Sequence, residues 1–286
     1  MPELPEVETT KNALSNFIKQ AKVIEVEIFK EELRWPINNN LKSDIKNSII
    51  LNPFRLGKYI IVPTDRNKCL LLHLGMSGFL KISKKKIKVK KHDHVKFTFL
   101  NTKHEEIYVL YNDTRRFGFI DYFDNDKLNE HFLIKKLGVE PLSLDLNAKY
   151  LLKKFNNRDV AIKTSLLDQK IVAGIGNIYA SEILFLSKIH PLLKVKFLDK
   201  KMANRLCKSI KYILKKAIDK GGTTIKDFKN PDGQIGYFKQ DLLVYSRKGM
   251  KCFDCEKHIK MINLSGRSTY YCKKCQGFEK KFLKEI

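Results

Sequence analysis

The sequence contains no long apolar run. No stretch reaches the roughly eighteen consecutive apolar residues of a membrane helix, and the first twenty residues lack the uninterrupted apolar segment of a secretory signal. These absences argue against a membrane or exported protein and predict a soluble, cytoplasmic one. Since 43% of the 286 residues are hydrophobic, the chain can bury a substantial core, and its length suggests about two domains.

Acidic residues are also scarce. The 31 Asp and Glu stand against 56 Lys and Arg, which gives a formal net charge of +25. Such an excess predicts a polyanionic partner, nucleic acid above all. A coding sequence rich in A and T also raises the lysine content of any surface, so charge alone does not establish that partner. The lysine run at 84–91, which alternates with Ile87 and Val89, is typical of a solvated hairpin more than of a DNA contact.

Cysteine is rare as well, but four of the six cysteines form one cluster near the end of the chain. Their spacing is Cys252-x2-Cys255-x16-Cys272-x2-Cys275, which is typical of a four-thiolate zinc site. Two disulfides are the alternative, and the reducing cytoplasm predicted above makes zinc the better interpretation. Outside the cluster, Cys69 and Cys207 are expected to be small buried apolar residues.

Hydrophobic periodicity divides the chain into a strand-rich half and a helical half. A helix is predicted over 6–18, followed by short β-branched and aromatic runs up to about residue 123 that indicate a sandwich or barrel. The strand pattern stops around Gly138–Ser143, where we place the linker. Beyond it, 200–218 has the apolar stripe of an amphipathic helix, and a polar loop of functional length covers 221–240.

The second residue of the chain is a proline. Once Met1 is removed, Pro2 presents a secondary amine that can attack a carbon centre and must then remain a cationic iminium, which is an electron sink. Its pKa lies near 8 in model peptides, and Glu3 beside it is a candidate general acid or base. The alternative is an ordinary helix start, since Pro5 with Glu6 suits a first turn.

A glycine turn separates two helical patterns in the second half. Gly174-Ile175-Gly176 precedes Asn177, and the exposed amides of such a helix N-terminus can bind phosphate. A plain tight turn remains the alternative.

Several ordered motifs together resemble the formamidopyrimidine-DNA glycosylases, bacterial repair enzymes that remove oxidised purines. The resemblance covers the whole chain and lies in the motifs at residues 2–9, 56–59, 73–78, 113–118, 174–177, 221–224 and 266–272. It implies an α+β fold: an N-terminal β-sandwich domain with an N-terminal helix over 1–140, and a C-terminal helical domain with a helix-two-turn-helix over 148–286. The latter includes a zinc ribbon at 243–280.

The resemblance also implies a function and its partners. A glycosylase with lyase activity would act on damaged double-stranded DNA held between the domains, with one structural zinc ion, no organic cofactor and no membrane. The protein would be a monomer of the bacterial cytoplasm, associated with the nucleoid through DNA binding.

Roles for individual residues follow from the same resemblance. Pro2 would be the nucleophile, Glu3 the proton donor to the sugar, Glu6 a buried carboxylate at the site, and Lys58 a cation close to the reaction centre. Phosphates around the extruded nucleotide would be contacted by Lys58, Lys163, Asn177 and Arg267, and His73 would be a further DNA-binding residue. The gap left by the extruded nucleotide would be filled by Met76, Arg115 and Phe117, for which core packing is the alternative. The zinc ligands would be Cys252, Cys255, Cys272 and Cys275.

Two rival functions remain open. One is endonuclease VIII, a homologue acting on oxidised pyrimidines, against which Leu4 argues because that branch typically has glycine there. The other is a zinc-ribbon protein that binds nucleic acid without catalysis, which Pro2, Glu3 and Lys58 disfavour. The chain also departs from the family at Thr114, where proline is usual, and at Glu256, where glycine is usual. A left-handed backbone at Glu256 would cost about 1 kcal/mol.

Overall fold

The computed structural model describes residues 2–38, 40–223 and 238–277. The chain forms two compact units: the first comprises 1–135 with 220–239, and the second comprises 136–219 with 240–286. The division near residue 135 lies close to the predicted linker. The prediction assigned everything after the linker to the second domain, whereas 220–239 is grouped with the first unit. Residues 224–237 of the predicted polar loop lie outside the described residues.

The first unit is a sandwich of two antiparallel four-stranded sheets. One sheet has the order β1-β6-β7-β5, from strands β1 (Lys22–Ile28), β5 (Phe79–Ser83), β6 (Asp93–Leu100) and β7 (Glu106–Asn112). The other has the order β2-β3-β4-β8, from β2 (Phe54–Leu56), β3 (Tyr59–Pro63), β4 (Lys68–His73) and β8 (Phe119–Asp124). Alternate residues of the two inner faces form one apolar core, because successive side chains of a strand point to opposite faces.

Helix α1 (Leu4–Ile18) opens the chain and packs against this core. It begins two residues earlier than the predicted helix. Its buried face repeats at helical spacing through Val7, Thr10, Leu14 and Ile18. The face contacts β2, β3 and β5, so the start of the helix lies beside the strands that carry the candidate site. A short helix, α2 (Leu41–Asp44), and a 3-10 helix (Asn125–Glu130) complete the unit.

The prediction of a hairpin at 84–91 is wrong. Strands β5 and β6, on either side of it, do not pair with each other but flank β7. The lysine-rich segment is therefore a crossover, and its Ile87 packs on Tyr108 and Leu110. Its lysines are exposed, as expected for a solvated segment.

The second unit is helical, with a two-stranded ribbon at its end. Its helices are α3 (Ala148–Phe155), α4 (Ile162–Leu167), α5 (Asn177–Leu186) and α6 (Lys200–Asp219), with a 3-10 turn at Val195–Phe197. A further 3-10 turn, Phe238–Asp241, contains the division between the units after residue 239. Helix α5 is buried almost all round, and the apolar stripe of α6 is buried as its periodicity predicts. The ribbon pairs β9 (Lys260–Leu264) with β10 (Arg267–Tyr271). Among the described residues, none of the helices has the length and apolar character needed to cross a bilayer.

Candidate functional site

Lys58 and His73 lie at the same end of the second sheet. Gly57 and Lys58 form the two-residue turn between β2 and β3, in which Gly57 has a φ of +55° that glycine adopts without strain. The first residue after the turn, Tyr59, pairs across the sheet with His73, and the two rings lie 5.0 Å apart. Strand pairing thus places the predicted lysine next to the predicted histidine.

His73 lines an open cavity of about 610 Å³ together with Leu33, Arg34, Gly75, Met76, Arg116 and Phe117. Burial, with the charges of Lys58 and Arg34 nearby, lowers the pKa of His73 to about 4. The imidazole is therefore neutral at pH 7, and His73 can offer a hydrogen bond to a phosphate but not a full charge.

Two crossover loops carry the residues predicted to fill the gap in the duplex. The loop at 73–78 connects β4 to β5 and bears Met76, whereas the loop at 113–118 connects β7 to β8 and bears Arg115 and Phe117. Both loops pass between the sheets at the same end, because His73 pairs with Phe119 and Phe79 with Asn112. The three predicted side chains are thereby brought to one edge of the sandwich.

Phe117 is not a core residue. Its side chain is 44% exposed, and the guanidinium of Arg115 lies 4.8 Å from its ring centroid. Met76 is partly buried beside it in the cavity wall. An exposed aromatic ring stacked with an arginine contributes little to the core of its own unit. The alternative of core packing therefore fails for Phe117.

The N-terminal segment is fixed by Glu6. Pro2, Glu3 and Glu6 are buried, and one carboxylate oxygen of Glu6 accepts the Glu3 backbone N–H at 2.9 Å. The other oxygen accepts the Thr223 N–H at 2.7 Å. A Cβ on Gly222, whose φ is +78°, would lie 3.0 Å from Glu6 Oε1, so glycine allows this close approach. Glu6 thus connects the segment that bears Pro2 to the backbone that enters the polar loop.

In the second unit, Lys163, Asn177 and the ribbon form one polar cluster. The Lys163 ammonium is buried and donates to Asn177 Oδ1 at 2.7 Å, Thr269 Oγ1 at 2.7 Å and the Ser268 carbonyl at 3.1 Å. Asn177, the first residue of α5, donates in turn to the Ser268 carbonyl. Arg267 is exposed next to the Ser265–Gly266 turn, and with Lys163 it lines a cavity of about 230 Å³.

The four clustered cysteines have the geometry of a metal site. Their sulfur atoms all lie within 4.8 Å of one another, with 3.8 Å between Cys252 and Cys275 and 3.4 Å between Cys255 and Cys272. A disulfide requires about 2.05 Å, whereas sulfurs around a tetrahedral zinc ion are roughly 3.8 Å apart. The cysteines therefore fit zinc and do not form the alternative disulfides. Cys69 and Cys207 are buried apart from the cluster, as predicted.

Two residues with a clear structural role were missed by the sequence analysis. Glu182 is buried, and its carboxylate accepts the backbone N–H groups of Leu243, Val244 and Tyr245 at 2.7–3.0 Å, which attaches the segment before the ribbon to α5. Burial raises the pKa of this carboxyl. The second residue is Asp113, at the base of the Arg115 loop. The available signals were the place of Asp113 in the motif at 113–118 and that of Glu182 in the helical pattern after the glycine turn, and neither signal identifies a partner.

Three family models match the chain in succession. The formamidopyrimidine-DNA glycosylase N-terminal domain matches residues 1–120, and the formamidopyrimidine-DNA glycosylase H2TH domain matches 137–229. A zinc finger found in FPG and IleRS matches 249–277, the segment that contains the four cysteines.

Curated relatives and solved structures agree with these models. The formamidopyrimidine-DNA glycosylase of Rickettsia bellii is 44% identical over 96% of this chain and 99% of its own length, and that of Histophilus somni is equally similar. The Lactococcus lactis Fpg in complex with DNA containing an abasic site has a TM-score of 0.88 at 34% identity, covering 96% of this chain and all of that one. Another complex of the wild-type Lactococcus lactis protein, with DNA containing N7-benzyl-Fapy-dG, has a TM-score of 0.87 at 34% identity over 97% of this chain and all of that one.

Proposed function

The chain belongs to the formamidopyrimidine-DNA glycosylase family, and on this premise we propose that it excises oxidised purines from duplex DNA and then cleaves the strand. The substrate class follows from the relatives that match almost the whole chain. The chemistry is assigned to residues of this chain by their surroundings.

Pro2 is the proposed nucleophile. After Met1 is removed, its secondary amine attacks C1′ of the damaged nucleotide, the N-glycosidic bond breaks, and the base leaves with a proton. The amine loses its single N–H proton on bonding to C1′, and when the C1′–O4′ bond breaks and the ring opens, the adduct becomes a cationic iminium with no N–H. This electron sink acidifies C2′, so that loss of a C2′ proton to a base expels the 3′ phosphate by β-elimination, and a second elimination expels the 5′ phosphate. Glu3, adjacent to Pro2, supplies the proton that the opening sugar ring requires.

The carboxylate of Glu6 is the observation that best supports this assignment. A nucleophile at a chain terminus needs a fixed position, because a free end samples many conformations. Glu6 is fully buried and accepts backbone N–H groups from Glu3 and Thr223. It therefore fixes the backbone of Glu3, next to Pro2, and both of its carboxylate oxygens are used for protein N–H groups.

Phosphate contacts are proposed for Lys58, His73, Asn177 and Arg267. For Lys163 we propose a different role from a direct phosphate contact, because its ammonium already donates to three protein acceptors. It orients Asn177 and the ribbon turn next to Arg267, and its charge adds to the field there. Met76, Arg115 and Phe117 are proposed to enter the duplex and fill the gap, which offsets the few kcal/mol lost when a base is extruded.

The test compares three duplexes that contain one 8-oxoguanine, one thymine glycol or one abasic site. We expect the protein to excise the purine lesion faster than the pyrimidine lesion and to cleave the abasic duplex. Glu3→Gln should slow excision by about 10²–10⁴-fold while abasic cleavage largely survives, since a base-free sugar needs less proton donation. Glu31→Gln, at an exposed glutamate, is the matched control.

Two outcomes would contradict the proposal. Faster excision of the pyrimidine lesion would favour the endonuclease VIII alternative. Binding to all three duplexes without any cleavage would favour a protein that binds nucleic acid only.

A further inference from the structure

We propose that Asp113 is a positioning residue that joins the loops at 73–78 and 113–118 into one rigid wedge. The inference rests on the proposed function, because the wedge it holds serves the extrusion of the damaged base. Asp113 does not contact DNA itself; it acts through Met76, Arg115 and Phe117.

The side chain of Asp113 connects the two loops. It is fully buried at the end of β7, and its Oδ1 accepts the Ser77 hydroxyl at 2.6 Å and the Arg115 N–H at 3.2 Å. Its Oδ2 accepts the Gly118 N–H at 2.7 Å. Ser77 directly follows Met76, Arg115 is itself predicted to enter the duplex, and Gly118 directly follows Phe117. One carboxylate therefore fixes the backbone beside all three.

The backbone of Asp113 is also fixed. Its N–H donates to the His92 carbonyl at 3.1 Å, and its carbonyl accepts Nε2–H of His94 at 2.8 Å. Every polar group of Asp113 is thus bonded to the protein. Among the described residues, no lysine or arginine side chain forms an ion pair with this carboxyl group, and its hydrogen bonds come from one hydroxyl and two backbone N–H groups.

Two glycines bring the loops into direct backbone contact. A Cβ on Gly75, whose φ is +59°, would lie 2.4 Å from the Gly118 nitrogen and 2.4 Å from the Phe117 carbonyl carbon. A Cβ on Gly118 would lie 1.7 Å from the Tyr111 hydroxyl, which itself donates to the His73 carbonyl. No space separates the loops, so one cannot shift without displacing the other.

This rigidity has a consequence for base extrusion. Side chains that replace a base in the stack must hold their places against the neighbouring base pairs, and misplacement by about 1 Å can cost on the order of 10²-fold in rate. If Asp113 supplies the rigidity, weakening its bonds should impair the steps that need a filled gap. Cleavage at a pre-formed abasic site needs less extrusion and should be impaired less.

The test measures excision of 8-oxoguanine and cleavage of an abasic site for the wild type, Asp113→Asn and Ser77→Ala. Asp113→Asn keeps the volume but turns an amide N–H₂ toward a backbone or hydroxyl donor. Ser77→Ala removes the hydroxyl that donates to Asp113 and accepts the Arg115 N–H at 3.1 Å, while leaving the carboxylate. We expect the ratio of excision to abasic cleavage to fall at least about tenfold in Asp113→Asn and several-fold in Ser77→Ala. The preference for the base opposite the lesion should weaken in parallel. Ser83→Ala is the control, because the lost hydroxyl donates to the Lys85 carbonyl and accepts the Lys85 N–H, away from both loops.

A double-mutant cycle separates positioning from a merely structural role. In a Phe117→Ala background, Asp113→Asn should reduce the ratio little further, because the wedge it positions is already incomplete. A lower melting temperature with an unchanged ratio in both single variants would overturn the proposal, and so would full additivity with Phe117→Ala. If the wild type and Ser83→Ala do not excise the lesion at all, it is the proposed function that fails.

Discussion

His190 shows at the scale of a single residue how burial sets the charge state of a side chain. It is buried in the second unit, where its ring packs on Tyr271 with centroids 4.7 Å apart. Burial, with the charge of Lys273, lowers the pKa of His190 to about 4. The folded protein therefore holds a neutral imidazole there under neutral conditions.

This neutral histidine predicts a pH dependence of stability. A histidine in the unfolded chain titrates near 6.5, so between about pH 4 and 6.5 the unfolded state binds more protons than the folded one. The free energy of unfolding should thus fall as the pH drops through that window, by up to about 1.4 kcal/mol per pH unit for this residue. His190→Gln should flatten the decline in urea-unfolding experiments.

The control for this prediction is His104→Asn. His104 is exposed and has a φ of +58°, a backbone conformation that asparagine tolerates. An unchanged pH dependence in His190→Gln, or an equal flattening in His104→Asn, would contradict the assignment.

Some single-residue features were predictable and others were not. Glu256 has a φ of +61°, the left-handed backbone that the glycine usual in the family at this position suggests. The burial of Lys163 was not predictable, since its partner Thr269 lies 106 residues further along the chain. The resemblance predicted a phosphate contact for Lys163, and only the packing of the ribbon against it shows that its ammonium is a buried donor to protein acceptors.

At the scale of elements, hydrophobic periodicity predicted which segments form strands or helices, but it did not predict the order of the strands within each sheet. The apolar stripe of α6 and the β-branched and aromatic runs of the strands were visible in the sequence because each is a local pattern. The crossover at 84–91 was not, since the choice between a hairpin and a crossover depends on which strand pairs with β7. The proximity of the 73–78 and 113–118 loops depends on the same strand order.

The zinc ribbon is the element whose stability is predicted to depend most on a ligand. Four thiolates at these distances should bind one zinc ion, and its binding energy is also folding energy for the ribbon. Cys272→Ser should therefore lose stoichiometric zinc, unfold the ribbon and abolish tight DNA binding, while the sandwich remains folded. Metal analysis and circular dichroism would measure this.

Cys207→Ser is the matched control, because Cys207 is buried on α6 apart from the cluster. Full zinc occupancy in Cys272→Ser, or equal zinc loss in Cys207→Ser, would contradict the assignment of the four ligands.

At the scale of the whole molecule, the net charge of +25 predicts binding that depends strongly on salt. The logarithm of the affinity for undamaged duplex should fall linearly with the logarithm of salt concentration, with a slope of roughly −0.9 per neutralised phosphate. Arg267→Gln should reduce the steepness by about one phosphate. Lys200→Gln, at an exposed lysine of α6, should leave it unchanged. Equal slopes for the wild type and Arg267→Gln would remove Arg267 from the proposed phosphate contacts.

The central claim is that the amine of Pro2 carries the chemistry, and borohydride trapping tests it most directly. Reduction during reaction with an 8-oxoguanine duplex should convert the iminium into a permanent protein–DNA crosslink. Peptide mass spectrometry should locate that crosslink on Pro2, and protein that retains Met1 or carries an acetylated terminus should form none. A crosslink on Lys58 or any other lysine, with Pro2 unmodified, would contradict the account.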